Sequence, residues 1–409
     1  MMTRLFFLLP TAVAAWTLAT GERLTGSLHK AAAATTSGGS ILDLAAAEQW
    51  CTANRLKERH LFDVYRHLFK RGGEFTAASL HEDADLPLKY STALCGHFFG
   101  GVTTSKIVDR VPSEGGLKLV VELASGHRIE TVLIFHDHES SGKSRSTVCV
   151  SSQVGCARAC SFCATGTMGL RANLNSAEVL EQVWHACREA PEGYDVRNVV
   201  FMGMGEPLDN MEVLLDTLRG LTHQALFGLS AKQLTVSTVG ASPERIRRLA
   251  DEAPTVRLAL SLHSATLPLR AQLIPSATSM EDLNSALDYH AQTTGCGLMV
   301  EYLLIRGVND RDCDADALAA FCAERNAAAI ATAQAPLSKK AARAATGYVN
   351  LIPFNPTEAG TQHGYTTPSD DDVERFHARL RDEHGVNALV RWTSAAGRDA
   401  NGACGQLVV

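Results

Sequence analysis

The sequence predicts an α/β fold: a partial (β/α)6 barrel preceded by a small helical domain and a β-hairpin linker. Three observations lead there. From Thr147 onward, six short apolar segments alternate with six stretches of helical periodicity, the pattern of a parallel sheet with crossover helices. Before them, residues 117 to 135 alternate as two strands around a turn at Ser125-Gly126. Earlier still, residues 45 to 110 show helical spacing. The 409 residues, 45% of them hydrophobic, suffice for one large domain and a small one.

Taken in order, residues 1–40 read as a targeting leader. Arg4 precedes an apolar run from Leu5 to Ala19 that is broken by Pro10, too short and interrupted for a transmembrane span. Gly21 to Ser40 is rich in Ser, Thr, Ala and Gly, with Arg23, His29 and Lys30 and a single acid, Glu22, the composition of a transit peptide. The two parts together suit a plastid reached through the secretory route, or a mitochondrial presequence. The alternative is a leader with no address on a cytoplasmic protein. The mature form is expected to carry no membrane span.

In residues 45–110, Leu61, Val64, Tyr65, Leu68 and Phe69 fall on one helical face, and Arg55, Lys57, Arg59, Arg66, Lys70 and Arg71 decorate the rest. The net charge is −6, so nucleic-acid binding has to come from a local basic patch such as this one. The same charges would equally suit an ordinary solvated face. Residues 111–146 form the linker, with a hairpin of Leu117–Leu123 and Ile129–Ile134. The barrel spans 147–392, with strands at 148–152, 198–202, 234–238, 257–262, 299–304 and 349–353. Its helices lie near 176–189, 210–222, 243–252, 280–293, 314–328 and 370–384. Ala327 to Ala345, Ala-rich with Pro336 and Lys339-Lys340, reads as a loop insertion, and 393–409 as a C-terminal tail.

The loop after the first barrel strand holds Cys156, Cys160 and Cys163, spaced C-x3-C-x2-C, with no fourth Cys or His in the same loop. Three thiols do not close a tetrahedral zinc site, and no second C-x2-C exists in the chain. They suit a 4Fe-4S cluster whose fourth iron is open to an exogenous donor such as the amino and carboxylate groups of S-adenosylmethionine (SAM). The aromatic Phe162 just before the last cysteine fits the radical SAM pattern that the triad resembles, in which a ring there can pack against the adenine of the bound nucleotide. The 11 cysteines, an odd number not paired by spacing, argue for a reducing compartment rather than a disulfide framework. The triad resembles the signature of the radical SAM enzymes.

In parallel α/β barrels the active site lies at the carboxyl ends of the strands. Polar residues recur there: Gly205 and Glu206 after the second strand, Ser237 and Thr238 at the third, Ser261, Leu262 and His263 at the fourth, Asn355 after the sixth. Each alone could be a satisfied strand-end group; their recurrence on one face favours ligand contact. Near the chain end, Cys404 sits among Gly402, Ala403 and Gly405 in a segment too polar and flexible for core, where small neighbours would let a thiol be carried into the barrel mouth. Cys149, seven residues before the triad, is a second candidate thiol.

Five runs sharpen the resemblance: Thr147 to Cys156, Met202-Gly-Met-Gly-Glu-Pro207, Leu260-Ser-Leu-His263, Leu351-Ile-Pro353 and Ala403-Cys404-Gly-Gln-Leu407. Over nearly everything after the leader, the chain resembles the dual-specificity adenine-C2 methyltransferases of 23S ribosomal RNA and transfer RNA. The resemblance implies that Cys404 takes a methyl group from one SAM. A second SAM, cleaved reductively at the cluster, activates that methyl by hydrogen abstraction, and the resulting methylene radical adds to C2. Cys149 then resolves the protein–RNA adduct through a transient disulfide with Cys404. It further implies Glu130 as proton acceptor, with Gly205, Glu206, Ser237, Ser261, Leu262, His263 and Asn355 as SAM contacts. The implied partners are rRNA, tRNA and an electron donor such as flavodoxin or ferredoxin, and the implied state is a monomer.

Three features depart from that pattern: a tail about two residues longer between Arg391 and Cys404, the 327–345 stretch, and Phe354 where Trp is more common. The relative that methylates adenine C8 shares most of the motifs. A non-catalytic iron–sulfur RNA-binding protein is the alternative of another class, but mere binding needs neither Cys149 nor Cys404.

Overall fold

The computed structural model describes residues 39–99, 101–137, 144–331, 346–392 and 402–409. The stretch 1–40, read from its composition as a targeting leader, lies outside the described residues apart from Gly39 and Ser40. The described residues cluster as one compact unit.

Four helices come first: α1 (Leu44–Ala53), α2 (Glu58–Lys70), α3 (Ala77–Asp83) and α4 (Leu88–His97). Helix α2 buries the stripe the periodicity predicts, Leu61, Val64, Tyr65 and Leu68. These side chains share one hydrophobic cluster with the main sheet, so the helices have no separate core. Phe69 meets Trp184 edge-on with centroids 4.8 Å apart. Just beyond, both oxygens of buried Glu181 accept from the backbone N–H groups of Thr104 and Ser105, at 2.9 and 2.8 Å.

The strands are β1 (Lys106–Ser113), β2 (Gly116–Glu122), β3 (Arg128–His136), β4 (Arg145–Cys149), β5 (Gln153–Val154), β6 (Ala172–Asn173), β7 (Val196–Phe201), β8 (Leu234–Thr238), β9 (Arg257–Ser261), β10 (Met299–Leu304), β11 (Tyr348–Pro353) and β12 (Ala388–Val390). Ten of them form one sheet in the order β1-β2-β3-β4-β7-β8-β9-β10-β11-β12. While β5 and β6 form a separate antiparallel pair, in this sheet β1 to β4 pair antiparallel and every pairing from β4 onward is parallel. β1 and β12 are its two edges, so the barrel is open, and the six predicted strands are its parallel core. The predicted hairpin carries a further strand: β1 begins at Lys106, inside the stretch read as helical, and makes the linker a three-stranded meander continuous with the barrel.

The crossover helices lie where the periodicity put them: Ser176–Glu189, Met211–Thr222, Pro243–Glu252, Met280–Thr294, Asp312–Ala331 and Asp370–Ala378. The first is started by a capping box in which Asn175 and Glu178 each accept from the other's backbone N–H at 2.9 Å. Residues 327–331, read as the start of a loop insertion, continue the helix from Asp312, and Ala329 is buried. The rest of that insertion lies outside the described residues.

The C-terminal residues overturn one expectation. Ala403, Gln406 and Leu407 are buried, not the flexible polar surface that their composition suggests. Small side chains let this segment lie flat against the barrel mouth, where its backbone groups find partners. Residues 393–401 lie outside the described residues.

Candidate active site

The cysteine loop leaves β4 at Cys149 and is shaped by close backbone approach. At Gly155, φ is +75° and a Cβ would lie 1.9 Å from the carbonyl oxygen of Gly169, so no other residue fits. This brings Cys156, Cys160 and Cys163 to one cavity of about 930 Å³, its open mouth included. Burial, with a smaller contribution from the nearby Cys163 and Cys156, holds the Cys160 pKa well above the ordinary value. Among the described residues no three ligand-type side chains converge on a single ion. Thiols spread around a cavity suit the separate irons of a cluster better than one ion. The backbone N–H of Arg158 donates to Cys156 Sγ at 3.4 Å, and Arg158 is in turn ion-paired to Asp209.

The same cavity is lined by Phe162, Gly205, Glu206, Ser237, Thr238, Ser261, His263 and Cys404, eight of the twelve residues singled out beside the triad. Glu206 is buried, which raises its pKa, and its Oε2 accepts from the Val239 N–H at 3.0 Å. Ser237 and Ser261, at the ends of neighbouring strands, have their hydroxyls 3.3 Å apart. His263 sits at φ +57° and its Nδ1 accepts from the Leu303 N–H at 3.0 Å. That hydrogen bond fixes the neutral tautomer with the proton on Nε2, and burial lowers the pKa to about 3. The ring of Phe162 meets His263 edge-on at 4.7 Å.

Leu262 and Asn355 do not line the cavity. Leu262 is fully buried and its backbone is already used, its N–H donating to the Glu301 carbonyl at 3.0 Å and its C=O accepting from Arg270. Asn355 is buried at the same strand-end face, and its Nδ2 has no partner among the described residues. A buried donor left unpaired costs about 1–3 kcal/mol, which a bound ligand group would recover.

The tail is fastened at four points. The Ala164 N–H donates to the Gly405 carbonyl at 2.8 Å, and Thr165 Oγ1 to the Leu407 carbonyl at 2.6 Å. Gln406 Nε2 donates to the Pro356 carbonyl at 3.1 Å, and the Val408 N–H to Glu130 Oε2 at 2.7 Å. The other oxygen of Glu130 takes the ammonium of Lys118 at 2.8 Å. Burial raises the Glu130 pKa against the pull of Lys118. Glu130 therefore stands behind the tail rather than on the cavity wall.

Cys404 is exposed by surface area, yet burial by surrounding protein pushes its thiol up to about 12. Both hold if its accessible surface opens on the cavity it lines. Cys149 is buried at the end of β4, and Cys404 lies near enough to act on it electrostatically. All eleven cysteines are free thiols.

Residues 150–318 match the radical SAM superfamily. The chain is 41% identical over 297 residues to a probable dual-specificity RNA methyltransferase RlmN of Salinibacter ruber, covering 71% of this chain and 73% of that protein. The chain belongs to the RlmN family of radical SAM RNA methyltransferases. A ribosomal RNA large subunit methyltransferase N of Nitrosopumilus maritimus is 38% identical over 75% of this chain and 81% of its own length. A radical SAM methyltransferase structure from Sphaerobacter thermophilus superposes with a TM-score of 0.75 at 34% identity, over 90% of this chain and 99% of that one.

Membership of this family implies SAM and a 4Fe-4S cluster. The thiol-lined cavity and the glycine-walled loop at Gly205 fit both. Two residues of this RNA methyltransferase escaped the sequence reading. Arg270, fully buried, donates to the carbonyls of Val239, Ser261 and Leu262 and so ties the ends of β8 and β9 beneath the cavity. Glu301, in the middle of β10, lines the cavity itself. No motif marks either, because each lies in an otherwise apolar run whose pattern says core.

Proposed function

We propose that this enzyme methylates C2 of an adenosine in 23S-type rRNA and in the tRNA anticodon loop through a methyl group carried on Cys404, consuming two SAM per turnover. What supports this reading above all is the convergence of Cys404 on the triad cavity, with Cys149 beside it. Binding RNA alone requires neither thiol there. The cluster and SAM, when bound, supply the methyl group and the one-electron chemistry that an electron-poor aromatic carbon demands.

The chain's own residues do the rest. Cys404 accepts the methyl group on Sγ and holds it at the cavity, its position set by the tail contacts to Ala164, Thr165, Pro356 and Glu130. Cys149, at the end of a rigid strand, attacks Cys404 to release the RNA. Glu130 serves as proton acceptor, within reach of the tail. His263, which lines the cavity, presents Nε2–H to the nucleotide. A flavodoxin- or ferredoxin-class donor supplies the electron, the enzyme acts as a monomer, and residues 1–40 direct it to a plastid or mitochondrion. Among the described residues no helix is long and apolar enough to cross a membrane.

Removing a nucleophile and removing a resolving group stop different steps. In intact-mass analysis after expression with RNA, Cys404→Ala shows no protein methylation and no adduct. Cys149→Ala accepts the methyl and then accumulates as a covalent protein–RNA species. Nucleoside mass spectrometry of the RNA distinguishes 2-methyladenosine from the C8 isomer, and an active, adduct-free Cys404→Ala enzyme sinks the proposal.

A further inference from the structure

Strand β10 is buried at all six positions, and its alternate residues Glu301 and Leu303 face the cavity. Glu301 lies in register with Ser261 on one side and Asn350 on the other. Its Oε1 accepts from Asn350 Nδ2 at 2.8 Å. Arg391 does not reach the carboxylate; its Nε donates to Asn350 Oδ1 at 2.9 Å and holds that amide in orientation. The second carboxylate oxygen of Glu301 has no hydrogen-bond partner among the described residues. A carboxyl in the middle of a buried strand, half satisfied, is unfavourable for folding.

Three carboxyls stand around this site, and they differ in what they have left to offer. Glu206 accepts backbone N–H groups of Val239 and Leu208 on its two oxygens. Glu130 is taken by Lys118 and Val408 and does not line the cavity. Glu301 alone lines the cavity with an oxygen uncommitted, and it is the charged side chain with the largest electrostatic effect on Cys404.

Resting on Cys404 as the methyl carrier, we propose that Glu301 is the general base for loading it: its free carboxylate oxygen takes the Cys404 thiol proton as the methyl group arrives. The step balances. The Cys404 S–H proton goes to Glu301, the Sγ–CH3 bond forms, and the sulfonium C–S bond of SAM breaks with its electron pair kept by the departing neutral thioether, S-adenosylhomocysteine. No oxidant or reductant is needed. Such a base works best with a pKa near the working pH. Burial raises that of Glu301 to about 7, against the opposing pull of Asn350 and Arg391. The other titratable groups that Glu301 acts on are Tyr348 at the start of β11 and Cys404 on the tail.

The test is single-turnover methylation of Cys404 in anaerobically reconstituted holoenzyme without RNA, using methyl-deuterated SAM and intact mass as the readout. The wild-type rate is expected to rise with pH through about 7 and then level off, because only the ionised carboxyl accepts a proton. Glu301→Gln keeps an acceptor for Asn350 but no base. Its rate should fall about 100-fold or more at neutral pH and climb with pH without levelling, as hydroxide takes over. Glu301→Asp should keep the levelling profile at a reduced rate. SAM affinity, measured by equilibrium dialysis, should be unchanged in Glu301→Gln. A Gln variant with the wild-type rate and profile overturns the proposal and leaves the Cys404 reading intact. Parallel loss of SAM binding overturns it too, by making Glu301 a ligand contact. If the wild-type protein never carries the label on Cys404, the parent reading fails instead.

Discussion

Arg270 binds three backbone carbonyls at the ends of two strands while its own Nε has no partner among the described residues. Burial lowers its pKa to about 10, so the guanidinium stays charged at neutral pH. Replacing it with Met preserves volume but leaves the carbonyls of Val239 and Ser261 without that donor, while the Leu262 carbonyl keeps only the Ser264 N–H at 2.7 Å. We expect Arg270→Met to destabilise the protein by about 3 kcal/mol or more, read as a lower urea midpoint with unchanged slope. An unchanged midpoint would mean that water reaches those carbonyls and Arg270 has no structural role. Single residues also show where sequence reading stops. His263 and Glu206 were visible because polar groups punctuate a strand end, where a ligand is expected. Arg270 and Glu301 were not, because a lone charge inside an apolar run carries no sign of which partner it meets.

The loop after β7 shows how an element, rather than a residue, sets the site. Gly205 has φ +101°, and a Cβ there would lie 2.6 Å from the Cβ of Gln153 and 2.8 Å from Ser152 Oγ. Gln153 cannot yield freely, since its Oε1 accepts from the Glu206 N–H and its Nε2 donates to Asn173, both at 2.8 Å. Gly205→Ala should therefore displace Glu206 at a cost of about 1–3 kcal/mol in strain. We expect SAM affinity to weaken about tenfold or more, by equilibrium dialysis, with far-UV circular dichroism unchanged; undiminished affinity would show that the loop adapts. Long, periodic elements such as Ser176–Glu189 were legible to within a residue. β12, three residues long, and β1, an edge strand of mixed polarity, were not, because neither has enough buried face to impose a period.

At the scale of the molecule, a chain of net charge −6 has to hold a polyanion. The exposed basic residues of α2 and the turns around it are the natural contact, but they are not all available. Arg66 pairs with Asp63 at 3.5 Å and Arg71 with Asp83 at 2.9 Å, while Arg55, Lys57, Arg59 and Lys70 make no ion pair among the described residues. Deleting residues 45 to 110 would be a poor test. It would remove part of the shared core, leave Glu181 without its two backbone donors and cut β1 in half. Substituting Arg55, Lys57, Arg59 and Lys70 together with Gln removes the charge and spares the packing. If this face grips phosphates, RNA affinity should fall at low salt. The slope of log K against log salt should also flatten, by up to about 3 if all four side chains neutralise a phosphate of single-stranded RNA. The methylation of Cys404 without RNA should be untouched, because the cavity is built from other elements. Equal salt slopes for the two proteins would remove this face from the RNA contact and leave the solvated-surface reading of its charges.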